Sequence, residues 1–98
     1  MTVLSLIADG RFALEGNISK TSVPELVESG WDMLSQSKSG GALVVDLSRV
    51  SRADSAALAM LLEWMRRAQQ RSIRLRFEHF PKDLVGLASV CGVDQILQ

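Results

Sequence analysis

Apolar positions along this chain recur at the spacing of a strand, then of a helix, then of a strand again, and each switch marks an element boundary. Val3 to Ile7 and Arg11 to Glu15 are short apolar or alternating runs on either side of Asp9-Gly10. That dipeptide favours a tight turn because glycine accepts the positive φ the turn needs, so the chain is expected to open with a β-hairpin. Ser22-Val-Pro-Glu25 then offers a capping hydroxyl, a proline in the first turn and a following glutamate, the signs of a helix start. Leu26, Val27, Gly30, Trp31 and Leu34 make its apolar stripe, and Lys38-Ser-Gly-Gly41 ends it.

Residues 42 to 47 are a continuous apolar run closed by Asp46 and the polar residues after it, which reads as a strand covered on both faces. A polar loop leads to Asp54-Ser55, where the spacing turns helical. Leu58, Leu61, Leu62, Met65 and Ala68 fall on one stripe of this second helix, which is expected to face the sheet. Ala56, Met60 and Trp64 form another stripe, read as an exposed docking surface: small residues permit close approach, and Met and Trp supply an anchor. Ile73, Leu75 and Phe77 alternate with Arg74, Arg76 and Glu78, a strand with one wet face. Pro81 breaks the chain, and Leu84, Leu87, Ala88 and Cys91 predict a last amphipathic helix stopped by Gly92. The order β-β-α-β-α-β-α predicts an α/β fold: a single domain over 1–98, with a mixed sheet of about four strands and helices packed against it.

With 98 residues the chain can bury one core and no second one. Eleven Lys plus Arg balance eleven Asp plus Glu, so nothing global attracts nucleic acid or an anionic membrane. An apolar fraction of 47% in so small a domain argues for a protein partner. No run approaches the roughly 20 apolar residues that cross a bilayer, and the first residues lack a basic region with an apolar signal core. The expectation is a cytoplasmic protein without direct membrane insertion. The one cysteine, Cys91, lies in an apolar pattern and reads as a buried thiol.

Chemistry is sparse. One Cys and one His cannot form a structural zinc site, and neither a Gly-x-Ser-x-Gly elbow nor a phosphate-binding glycine loop is present. His79 would have to serve any Ser-His-Asp arrangement, and no enzyme, metal or cofactor is expected. Asp54 is open to pairing with Arg49 or Arg52, or to capping the second helix jointly with Ser55. Ser55 has two readings: a helix cap, or an exposed hydroxyl for phosphorylation or partner contact, where the helix dipole favours added negative charge. Arg66, Arg67, Arg71, Arg74 and Arg76 make one end basic, read first as a solvated helix end and second as a match for an acidic partner.

Asp46-Leu-Ser-Arg-Val-Ser-Arg-Ala-Asp54-Ser55, followed by an Ala- and Leu-rich helix, resembles the central signature of STAS domains, a family that includes anti-sigma factor antagonists. The resemblance extends over nearly the whole chain, through the hairpin, the Gly16 loop, the element order and the closing Leu87-Ala-Ser-Val-Cys-Gly-Val93. In phospho-regulated members the hydroxyl residue after the aspartate is the phosphoacceptor, and Ser55 occupies that position. Those members usually continue with small residues including glycine, where this chain has Ala56-Ala57, a stiffer first turn.

Within the family the wording looks closest to the STAS subunit of the bacterial Mla-type phospholipid-transporting ABC complex. That resemblance implies a non-enzymatic subunit, peripheral to the inner membrane, which binds and supports an ABC ATPase subunit (MlaF-like) coupled to a membrane permease. The system it implies maintains outer-membrane lipid asymmetry. It also implies that Ser55 is an ATPase contact, with Asp54 supporting it, and that Trp31 is the aromatic residue of the family's first helix. Together with the outer stripe, the expected partner surface is Arg52, Ser55, Ala56, Met60, Trp64 and Trp31. The alternative is an anti-sigma factor antagonist regulated by phosphorylation of Ser55.

Overall fold

The computed structural model describes residues 3–36, 41–82 and 84–86. Its elements are β1 (Val3–Ala8), β2 (Arg11–Ile18), α1 (Val23–Ser35), β3 (Ala42–Ala53), α2 (Ser55–Gln70) and β4 (Arg74–Glu78), and helical backbone resumes after Pro81. The strands form one mixed sheet in the order β1-β2-β3-β4. β1 and β2 are antiparallel, joined at Asp9-Gly10 with Gly10 at φ 75°, while β2 with β3 and β3 with β4 are parallel. Parallel neighbours need a crossover, and α1 and α2 supply the two.

Because strand order follows chain order, crossovers of the usual right-handed sense bring both helices to the same face. Burial follows from this: Leu43, Val45 and Leu47 are buried, whereas Ala42 is exposed and Val44 and Asp46 are half-buried. The central strand is therefore covered on one face, and the expectation of two covered faces is corrected. Leu75 and Phe77 are buried between exposed Arg74 and Arg76, as their alternation requires.

β3 also runs farther than its apolar segment suggests. It continues through Ser48 to Ala53, paired with β2 at Glu15↔Arg49, Gly16↔Val50, Asn17↔Arg52 and Ile18↔Ala53. The register slips between Ala13 and Glu15 and again between Gly16 and Asn17, where Gly16 takes φ 102°. Such slips place pairs of exposed residues between the buried Leu47, Val50 and Ala53, so the strand loses its two-residue alternation and resembles a loop in sequence.

Ser22 stands just before α1, but its side chain does not cap the helix. Its hydroxyl instead accepts from the Ser19 backbone N–H at 3.0 Å and closes the preceding turn. α1 and α2 meet through Gly30 and Trp64. A Cβ on Gly30 would lie 2.5 Å from Trp64 Cζ2, so glycine is what lets the indole rest against the helix backbone. The enclosed indole satisfies its one donor by giving Nε1–H to the Val27 carbonyl at 3.0 Å. Around this contact Leu14, Ile18, Leu34, Val45, Leu47 and Leu61 complete the core. The expected helix end at 38–40, the buried Cys91 and the cap at Gly92 lie outside the described residues.

Candidate functional site

The parallel strands β2 and β3 end together where α2 begins, and the residues singled out around Ser55 gather there. Asp54 keeps an extended backbone, φ −108° and ψ −169°, and its N–H is held by the Ile18 carbonyl of β2 at 3.4 Å. From that anchored position Oδ1 accepts the backbone N–H groups of Ala56 at 2.9 Å and Ala57 at 3.2 Å. Asp54 alone is the side-chain cap of α2, neutralising two of the first-turn donors that lack a helical partner.

Ser55 is consequently the first helical residue, exposed and relieved of the capping role, and its hydroxyl makes no hydrogen bond among the described residues. Arg52 is exposed and in no ion pair among the described residues, while Arg49 pairs with Glu15 at 3.0 Å. Neither arginine engages Asp54. Asn17, Arg52, Ala53 and Asp54 line a shallow depression beside the serine. The neighbourhood thus offers a hydroxyl, a guanidinium and the positive end of a sixteen-residue helix. Those groups suit a carboxylate or amide from a partner, or a phosphoryl group placed on the serine itself.

The outer stripe is corrected. Met60 is 1% exposed and Trp64 0%, both packed in the core with Ala57, Leu58, Leu61 and Ala68. The two stripes read from the sequence are flanks of one broad buried band, with Ala57 and Trp64 near its middle. The middle of that band is hidden in the sequence because the small Ala57 carries little hydrophobic weight although it is fully buried. Trp31, 9% exposed, likewise belongs to the core face of α1 and presents no contact surface.

The row that does face outward is Ser55, Ala59, Leu62 and Arg66, with Ala56 half-buried beside it and Leu62 half-buried within it. Sequence reasoning missed Ala59 and Leu62 as surface residues. The available signal was charge: Glu63, Arg66 and Gln70 share that side of the helix, and their side chains need water.

The arginine cluster is mostly spoken for. Glu63 receives Arg66 and Arg67 at 2.7 Å each, and Arg67 also reaches Glu28 of α1 at 2.8 Å, tying the two helices. Hydrogen bonds from Arg66 and then Arg67 lower the Glu63 carboxyl to about 2. Arg76 pairs with Glu78, which also holds Arg11 from across the sheet. His79 stands in the left-handed region at φ 59°, with Nδ1 3.1 Å from Asp46 Oδ1. Asp46 is held below its ordinary value first by the Ser48 backbone N–H and secondarily by His79. Among the described residues no group of three His, Cys, Asp or Glu side chains is placed to hold a metal ion, and no helix is long and apolar enough to cross a membrane.

The family model described as "Mlab, STAS domain" matches residues 5–98. A search of curated proteins returned no match. Among solved structures, a chain of the Acinetobacter MlaFEDB complex in an ATP-bound conformation superposes with a TM-score of 0.80 at 21% identity, covering 97% of this chain and 96% of that one. The anti-sigma factor antagonist SpoIIAA in its unphosphorylated form gives 0.73 at 13% identity, covering 97% and 84%. The phosphorylated form of SpoIIAA, a Bacillus cell-fate determinant, gives 0.66 at 12% identity over 97% and 86%.

Proposed function

The chain belongs to the STAS domain family, and from that premise we propose that it is the STAS subunit of an Mla-type phospholipid-transporting ABC complex, binding and supporting its MlaF-like ATPase subunit. The observation that carries this reading is the free surface at the start of α2. Asp54 alone caps the helix, so Ser55, Arg52 and the row Ala56, Ala59 and Leu62 remain available to a partner. Small residues on that row let a partner element approach closely, Leu62 gives an apolar contact, and Ser55 and Arg52 supply polar ones. The subunit acts by binding, from the cytoplasmic side of the inner membrane, with the permease reached only through the ATPase. The likeness to a chain of the Acinetobacter MlaFEDB complex supports the assembly, and outer-membrane lipid asymmetry is the process it would serve.

The test is co-expression with an MlaF-type ATPase, followed by affinity capture and sizing. A stable complex is expected. Ala59→Arg, at an exposed helical position, should abolish it, because a long charged side chain would stand where close approach is required. Ser55→Ala removes a bond buried in the complex and should weaken binding by roughly 1 to 3 kcal/mol. No complex with the unmodified chain sinks the proposal.

A second reading has its own observation: the Ser55 hydroxyl is exposed and without a hydrogen-bond partner among the described residues, and SpoIIAA shares the fold in phosphorylated and unphosphorylated forms. As an anti-sigma factor antagonist the chain would be phosphorylated on Ser55, and Ser55→Asp would release its partner while Ser55→Ala would not. Absence of phosphate incorporation at Ser55 by a kinase that the chain binds rejects this alternative.

A further inference from the structure

The two edges of the sheet are guarded very differently. β4 carries Arg74, Arg76 and Glu78, the alternating charge that ordinarily discourages a sheet from adding another strand. β1, the opposite edge, reads Val3-Leu-Ser-Leu-Ile-Ala8, without a charge or a proline. Its side chains are also unusually open: Val3 is 42% exposed, Leu6 61% and Ile7 56%, and the only irregularity is a register shift between Leu6 and Ala8. Among the described residues, three of the five exposed large apolar side chains therefore stand on one six-residue strand.

We infer that β1 is a self-pairing edge, which takes β1 of a second copy of this chain in antiparallel register about a two-fold axis at Ser5. The strand is complementary to itself in that register. Ser5 meets Ser5 and Val3 meets Ile7, while Leu6 of one copy lies beside Leu4 of the other, which is itself core at 6% exposed, so the exposed apolar side chains meet apolar neighbours and no like charges are opposed. A formal net charge of zero removes long-range repulsion between copies. The contact is isologous and closes at two chains, since each copy spends its only uncharged edge and leaves the charged β4 edge outward. It is distinct from the surface at Ser55, because α2 packs over β3 and β4, and β2 separates β1 from them in the sheet.

One strand pair buries less than the roughly 1,200 Å² typical of stable interfaces, so the association is weak and needs a concentrated solution to be populated. Sedimentation velocity of the full chain, from about 5 µM to about 1 mM, covers the range in which such weak interfaces form. The weight-average mass should rise toward twofold. Leu6→Lys and Ile7→Lys, both at exposed positions, should hold it at one chain with an unchanged thermal transition, whereas Val85→Lys, which removes a 53% exposed side chain elsewhere, should leave the rise intact. A single-chain mass throughout, growth beyond two chains, or equal loss with Val85→Lys would each overturn the inference.

Discussion

Two adjacent residues with similar chemistry divide the work at the start of α2. Asp54 accepts two backbone donors, and Ser55 accepts none. Asp54→Ala should therefore lower stability by about 1 kcal/mol, read from chemical denaturation. Ser55→Ala should stay within about 0.5 kcal/mol of the unmodified chain in the same experiment, so that its effect on complex formation reports contact alone. Equal destabilisation by the two would return the capping role to Ser55. The sequence showed that a cap was needed near this junction but not which residue supplied it, because Asp and Ser are both good caps. What decides is the backbone: Asp54 is the residue left extended by its bond to Ile18 at the end of the parallel pair, a long-range fact invisible in the local string. The Ser22 cap failed similarly, its hydroxyl being drawn back to Ser19 by a turn that the helix pattern does not encode.

At the scale of elements, the hairpin, both long helices and β4 were legible because each carries an unbroken period. The end of β3 was not, since its register slips erase alternation, and the phase of α2 was not, since a small residue sits at the middle of its buried band. That phase has a measurable consequence. Met60→Glu places an unpaired carboxylate in a site 1% exposed and should abolish the cooperative unfolding transition rather than merely detach a partner. Gly30→Ala gains up to about 1 kcal/mol of helix propensity yet should destabilise by roughly 1 to 3 kcal/mol, because the added methyl must displace the Trp64 ring. A net gain in stability would show that the helices separate cheaply.

The ion triad joining Glu28, Glu63 and Arg67 acts between the same two helices. The folded Glu63 carboxyl is lowered from 4.5 to about 2, so its contribution is present above the unfolded value and is lost as pH falls from about 4.5 toward 2. Glu63→Gln should lower stability at and above about pH 4.5 and change it little near pH 2, which flattens the acid limb of the stability curve in that window. An unaltered acid limb would show that the pairing persists in the unfolded chain.

For the whole molecule, the element order was enough to anticipate a mixed sheet with helices against it, and the resemblance carried in Asp46 to Ser55 agrees with the family match over residues 5–98. Composition raised the expectation of a partner, and the helical pattern placed its surface on Met60 and Trp64, large residues that the core consumes. In a domain with one covered sheet face, the largest side chains are needed inside, and what remains for binding is a small-residue helical row and an uncharged edge. The two proposed surfaces are therefore separable, and variants of the first should leave the second untouched.

The enclosed contact between Trp64 and α1 gives the molecule an optical signature. The chain has two tryptophans and no tyrosine, and both are buried, Trp64 at 0% exposure against α1 and Trp31 at 9%. Intrinsic emission is thereby a private channel for the core: a partner arriving at Ser55 leaves its maximum in place, while parting of the two helices moves it to longer wavelength, so binding and loosening can be told apart in one cuvette without a label.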